Sequence, residues 1–139
     1  MNKGYTLKLA SVLLLVASLL NSCTKENPLD TDARDKFVGN WTCNEKVNGT
    51  AMSTFTVTIS KSVTVTNTTD ILMANFYQLG NNFKAIAQVN GNNVTIASQN
   101  IDGFTVSGSG SMSGTTTITL NYTADDGSGA KNITDTYTK

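Results

Sequence analysis

Phe37-Val38-Gly39-Asn40-Trp41-Thr42-Cys43-Asn44-Glu45-Lys46-Val47 decides the fold class. Phe37, Gly39, Trp41, Cys43 and Val47 share one parity and Asn40, Thr42, Asn44 and Lys46 the other. A period of two places successive side chains on opposite faces of a strand, so this stretch predicts a half-buried β-strand with its apolar face inward. One residue breaks the rule: Glu45 falls on the apolar parity.

The same period continues to the C-terminus. Asn48-Gly49 signals a turn, and Phe55, Val57 and Ile59 then alternate with Thr54, Thr56 and Thr58. Val63 and Val65 alternate with Thr64 and Thr66 as a further strand. Branched Thr suits the solvated face of a pleated sheet. Ile71 to Leu79 is apolar on both parities, which predicts a strand buried on both sides, with one short helix as the alternative. Phe83, Ala85, Ala87 and Val89 run into Asn90-Gly91, a two-residue hairpin signal because a type I′ turn needs positive φ at both central positions. Val94 and Ile96 return.

Phe104, Val106 and Met112 share a parity with Gly108 and Gly110, so two positions without side chains face inward; glycine there allows sharp bending, and an interior void is expected beside them. Ile118, Leu120 and Tyr122, then Ile133, Asp135 and Tyr137, follow the turns Ser113-Gly114 and Asp125 to Gly129. The sum is an all-β, antiparallel, mostly up-and-down domain of eight to ten strands. Closing such a sheet into a small barrel removes its exposed edges.

Ahead of the strands the composition changes. Lys3 and Lys8 precede an apolar run, Leu9 to Leu20, ending in Leu20-Asn21-Ser22-Cys23. A basic start, an apolar core of about 7–15 residues and a small residue before the cut describe a secretory signal peptide; a spanning helix needs about 20 apolar residues. The predicted organisation is a signal peptide over 1–22, Cys23 with a polar tether over 23–36, and a barrel over 37–139. In the tether, Thr31 or Asp32 caps at most one helical turn, which would cover one barrel end.

Cleavage before Cys23 leaves 117 of the 139 residues and removes Lys3 and Lys8, taking the basic count from 10 to 8 against 10 acids. That length suits one domain with its own core. No basic run suits nucleic acid. No His is present, which excludes His-dependent triads and His-ligated zinc. Asp125 to Gly129 lacks the spaced ligands of a calcium loop, so neither metal nor cofactor is expected. Cys43 is expected to be buried as a small apolar side chain.

Three resemblances follow from these residues. Leu20 to Cys23 resembles the lipobox of bacterial lipoproteins, with Asn21 a departure from the usual small residue. The resemblance implies that Cys23 becomes the first mature residue and is lipidated. Cys23-Thr24-Lys25-Glu26 is similar to the export tag that places lipoproteins of Bacteroidetes on the outer face of the outer membrane, although Asn27 stands where an acid is usual. Asp35 to Trp41 resembles the Gly-x-Trp opening of the calycins, the superfamily of lipocalins, fatty-acid-binding proteins and avidins. That likeness implies a barrel plugged at one end by Trp41, a basic residue stacked on it (Arg34, Lys131 or Lys139 by position), and a small apolar ligand at the other end.

Glu45 and Asp135 both lie on apolar parities of the first and last strands, which are neighbours in a closed barrel. Both carboxylates then enter one cavity with Tyr122 and Tyr137 as hydrogen-bond donors beside them, unless a β-bulge shifts the register or both acids sit at a wet rim. The expected function is a lipid-anchored outer-membrane lipoprotein, facing the exterior, whose barrel binds an apolar or amphipathic small molecule through Glu45, Tyr122, Asp135 and Tyr137. The alternative is a non-enzymatic interaction module with a filled core and an exposed Ile71 to Leu79 patch. A paired-carboxylate enzyme would need the two acids to converge in an open cleft; a non-enzyme is expected.

Overall fold

The computed structural model describes residues 31–64 and 67–139. The leader, Cys23, most of the tether, and Val65 and Thr66 lie outside the described residues.

Nine strands follow in order: β1 Gly39–Val47, β2 Thr50–Ala51, β3 Phe55–Lys61, β4 Asp70–Ala74, β5 Lys84–Asn90, β6 Asn93–Ile101, β7 Phe104–Ser113, β8 Thr117–Asp125 and β9 Lys131–Thr138. From β3 onward each strand pairs antiparallel with the next. β1 bonds to β3 on one side and β9 on the other, which closes eight strands into an up-and-down barrel. The two-residue β2 is extra, hairpinned on the end of β1.

The alternating residues face as the period demands. Trp41, Cys43 and Glu45 are buried on β1, Val57 and Ile59 on β3, Ile118, Leu120 and Tyr122 on β8, and Ile133, Asp135 and Tyr137 on β9. On β6 the register slips between Ile96 and Gln99. A bulge inserts residues and switches parity, so Ile96 and Ile101 both point inward across it.

The barrel has two unlike ends. The lower end holds the start of β1, the β5–β6 turn and the end of β9. There a turn over 33–37 is begun by Asp32, whose Oδ1 accepts from the Arg34 amide at 3.0 Å. Phe37, fully buried, and Trp41 plug this end. The Trp41 indole donates to the Phe37 carbonyl at 2.7 Å, and the Lys139 ammonium sits 4.2 Å from the ring centroid while donating to the Val38 carbonyl. Lys139 is therefore the stacked base. Arg34 pairs with Asp32 at 2.7 Å, and Lys61 joins Asp32 and Asp35.

Three expectations are corrected. The run Ile71 to Leu79 is not one strand: β4 stops at Ala74, Asn75 turns into the left-handed region (φ 61°), and Phe76–Gln78 form a single irregular 3-10 turn. Val63 is not in a strand either. β3 ends at Lys61 and Val63 is 93% exposed. Finally, no void lies beside Gly108 and Gly110. A Cβ on Gly108 would meet the Asn121 carbonyl at 2.3 Å, and one on Gly110 the Thr119 carbonyl at 2.0 Å. The missing side chains are used to bring β7 close against β8, and Tyr122 and Leu120 take the space.

Candidate ligand site at the upper end

β1 and β9 place the two inward acids face to face: Glu45 is the register partner of Asp135, and Cys43 that of Tyr137. Tyr122 reaches the same point from β8, two pairs along from Leu120 opposite Asp135. All four predicted site residues thus converge inside the barrel. Glu45 is 5% exposed and Asp135 is fully buried.

Tyr137 Oη donates to Asp135 Oδ2 at 2.8 Å and Tyr122 Oη to the same oxygen at 3.2 Å. Asp135 Oδ1 and Glu45 Oε1, both buried, have no partner among the described residues. Leaving a buried polar atom unpaired costs about 1–3 kcal/mol, more for a charged group, so the site is short of hydrogen-bond donors.

Burial dominates the electrostatics. It pushes the Asp135 carboxyl up, against the pull of the Tyr137 and Tyr122 hydroxyls and the Cys43 thiol. Burial, then the neighbouring Asp135 charge, pushes Glu45 up to about 7. Both tyrosines are raised for the same reasons and remain donors. The Cys43 thiol is raised by burial and by Asp135, so it stays protonated and is a poor nucleophile.

The folded chain holds the Glu45 proton more tightly than the unfolded chain, whose carboxyl titrates near 4.5. Stability from this group is therefore full below about pH 4.5 and is lost as the pH rises through about 7. Urea titrations across that window should show the midpoint falling as the pH rises, and Glu45→Gln should flatten the profile and stabilise the protein at pH 8. A wild-type midpoint that rises with pH in this window would contradict the placement.

The connection between β4 and β5 roofs the site. Phe76, fully buried, packs 4.7 Å from the Tyr122 ring centroid, and Tyr77 makes edge contacts with Phe104 at 5.3 Å and Tyr122 at 6.3 Å. Asn75, Tyr77 and Gln78 all have positive φ, a conformation that costs a non-glycine residue about 1–3 kcal/mol and occurs often at ligand clamps. Asn75 supports it by donating to the Thr56 carbonyl and accepting from the Gly80 amide. Sequence reasoning missed this roof; the only signal was Asn75-Phe76-Tyr77, an Asn able to turn the chain ahead of two aromatics.

Around the roof stand Val47, Phe55, Tyr77, Leu79 and Phe104, half-buried apolar side chains packed on the core. Val47, Phe55 and Phe104 sit at strand ends that meet at the upper end, and Tyr77 and Leu79 on the β4–β5 connection, which makes an apolar collar at that end. A separate groove of about 470 Å³ lies along β7–β9, lined by the outward residues Ser107, Asn121, Thr123, Asn132 and Thr134 and by Gly108, Tyr122 and Ile133 of the inward parity. Among the described residues no group of three or more His, Cys, Asp or Glu is placed to hold a metal ion.

Fold and site together define a small closed antiparallel barrel with a donor-poor acidic site under an aromatic roof. No family model matches the chain, and no curated protein matches it.

Proposed function

We propose that this protein is a lipid-anchored outer-membrane lipoprotein, exposed on the cell exterior, whose barrel binds an amphipathic small molecule at its upper end. The observation that supports binding is the pair of buried, unpartnered oxygens, Glu45 Oε1 and Asp135 Oδ1, beneath an apolar collar. Polar groups placed in an otherwise apolar pocket set the orientation of a ligand. The alternative of an interaction module asked for a filled core and an exposed Ile71 to Leu79 patch; the space beside Gly108 and Gly110 is filled, while Ile71, Met73 and Phe76 are core and not patch. The anchor rests on the Leu20-Asn21-Ser22-Cys23 sequence; more than one acyl chain is needed for stable attachment. Binding without turnover is the role assigned to the site.

Mass spectrometry of protein purified from its own membrane tests both halves. Under native conditions the barrel should retain a small molecule, and after denaturation the chain should begin at Cys23 and carry acyl groups. A ligand-free native mass with a stoichiometric protein partner would replace the binding reading, and a mature chain without acyl mass would remove the anchor.

A further inference from the structure

Once the carboxyls are ionised, the two unpartnered oxygens in the barrel are both acceptors, and this limits what can join them. The Tyr122 and Tyr137 hydroxyls both donate to Asp135 Oδ2, Tyr122 also faces Glu45, and the Cys43 thiol faces Asp135. A carboxylate or phosphate ligand would find these donors engaged and, once Glu45 is ionised, a like charge. Among the described residues neither Glu45 nor Asp135 is in an ion pair; the ion pairs of Arg34 and Lys61 are with Asp32 and Asp35 at the lower end. A buried carboxylate pair without a cation is completed by a cation that brings its own N–H groups, and an ammonium offers three.

The collar adds the second half of the ligand. Tyr77 and Phe104 already meet edge to face at 5.3 Å, and Val47, Phe55 and Leu79 add half-buried apolar surface at the same end. Resting on the small-molecule reading above, we propose that the site takes a small primary amine with an aromatic or short alkyl body, its ammonium between Glu45 and Asp135 and its body under Tyr77 and Phe104.

A cation competes with the proton on Glu45. The titratable groups facing that carboxyl are Cys43 from its own strand, Tyr122 from β8, Asp135 and Tyr137 from β9, and Tyr77 from the roof, with Asp126 of the β8–β9 turn acting on Tyr77. Of these Glu45 changes charge at about 7, and burial raises the Asp135 carboxyl beside it. Amine affinity should therefore fall as the pH drops from 8 to 6, by about tenfold.

The test uses the full chain in non-ionic detergent and three probes of one shape: 2-phenylethylamine, 2-phenylethanol and 3-phenylpropanoate, titrated by calorimetry or NMR at pH 8 and pH 6. The amine should bind at least tenfold tighter than the alcohol at pH 8, the acid should bind weakest, and the preference should shrink at pH 6. Glu45→Gln should lower amine affinity about tenfold and leave the alcohol within twofold. The wild-type series needs no variant to fold, and Asp135→Asn repeats the variant arm. Alcohol binding as tightly as amine, or acid binding tightest, overturns the amine assignment and leaves a small-molecule barrel standing. Binding by none of the three removes the upper end as an amine site, and the retained-ligand measurement above then decides the broader reading separately.

Discussion

Trp41→Ala is expected to cost about 3–5 kcal/mol, the range for emptying a buried aromatic position. A domain of this kind has only about 5–15 kcal/mol in total, so the variant sits near the edge of folding. Three losses combine. Trp41 is among the largest fully buried side chains, and its removal opens the lower end of the barrel. The Phe37 carbonyl loses its 2.7 Å donor, and the Lys139 ammonium loses the ring beneath it. Two further variants separate these losses. Trp41→Phe keeps most of the apolar volume and should cost mainly the hydrogen bond and the cation contact, about 1–2 kcal/mol. Lys139→Ala should cost less than about 1 kcal/mol, because Lys139 itself is exposed. Urea unfolding followed by far-UV circular dichroism gives all three, since Trp41 is the sole tryptophan and its fluorescence is lost in two of them. Near-equal costs for Trp41→Ala and Trp41→Phe would mean that the plug contributes little by volume.

How far the chain could be read beforehand depended on which interactions are local. The period of two is a local property, and it placed Trp41, Cys43 and Glu45 on one face without further help. The meeting of Glu45 with Asp135 spans the whole domain, yet it was legible because closure makes the first and last strands neighbours, and each acid broke the parity of its own strand. Tyr122 and Tyr137 came with it, being inward on β8 and β9. Lys139 was one of three bases named, and only the three-dimensional arrangement selects it: Arg34 is taken by Asp32, and Lys131 begins β9 at the opposite end.

The failures share a cause. Ile71 to Leu79 is apolar at every position that matters, so periodicity could not reveal that Asn75 turns the chain over the barrel mouth; the turn depends on bonds from Asn75 to Thr56 and Gly80, which are set by tertiary contacts. Val63 alternates with its neighbours as a strand residue does, but β3 has no partner there, since its ladder with β4 ends at Lys61 opposite Ile71. The ligand chemistry was not legible at all. Parity places a carboxylate inside; it does not say which of its oxygens lacks a donor.

Gly110→Ala is the second large effect. The absence of a side chain reads equally well as empty space or as space given to a neighbour, and here it is the latter. An added methyl would lie 2.0 Å from the Thr119 carbonyl oxygen and 2.5 Å from Leu120 Cδ2. Leu120 can turn its side chain away. The carbonyl belongs to the β8 backbone, which is held by its ladders to β7 and β9, so β7 must lift off instead. Overpacking of a core usually costs about 1–3 kcal/mol; a clash with backbone belongs at or above the top of that range. Gly108→Ala should be similar in stability and different in function. Its methyl would meet Tyr122 Cβ at 2.4 Å, on the residue whose hydroxyl reaches Asp135 Oδ2. Where enough folded protein survives, Gly108→Ala should displace Tyr122, free part of Asp135 and change probe affinity at the upper end, whereas Gly110→Ala, next to Leu120, should change stability alone. Equal loss of affinity in both folded variants would mean that β7 transmits the strain along its length and that Tyr122 has no separate part in positioning the acid.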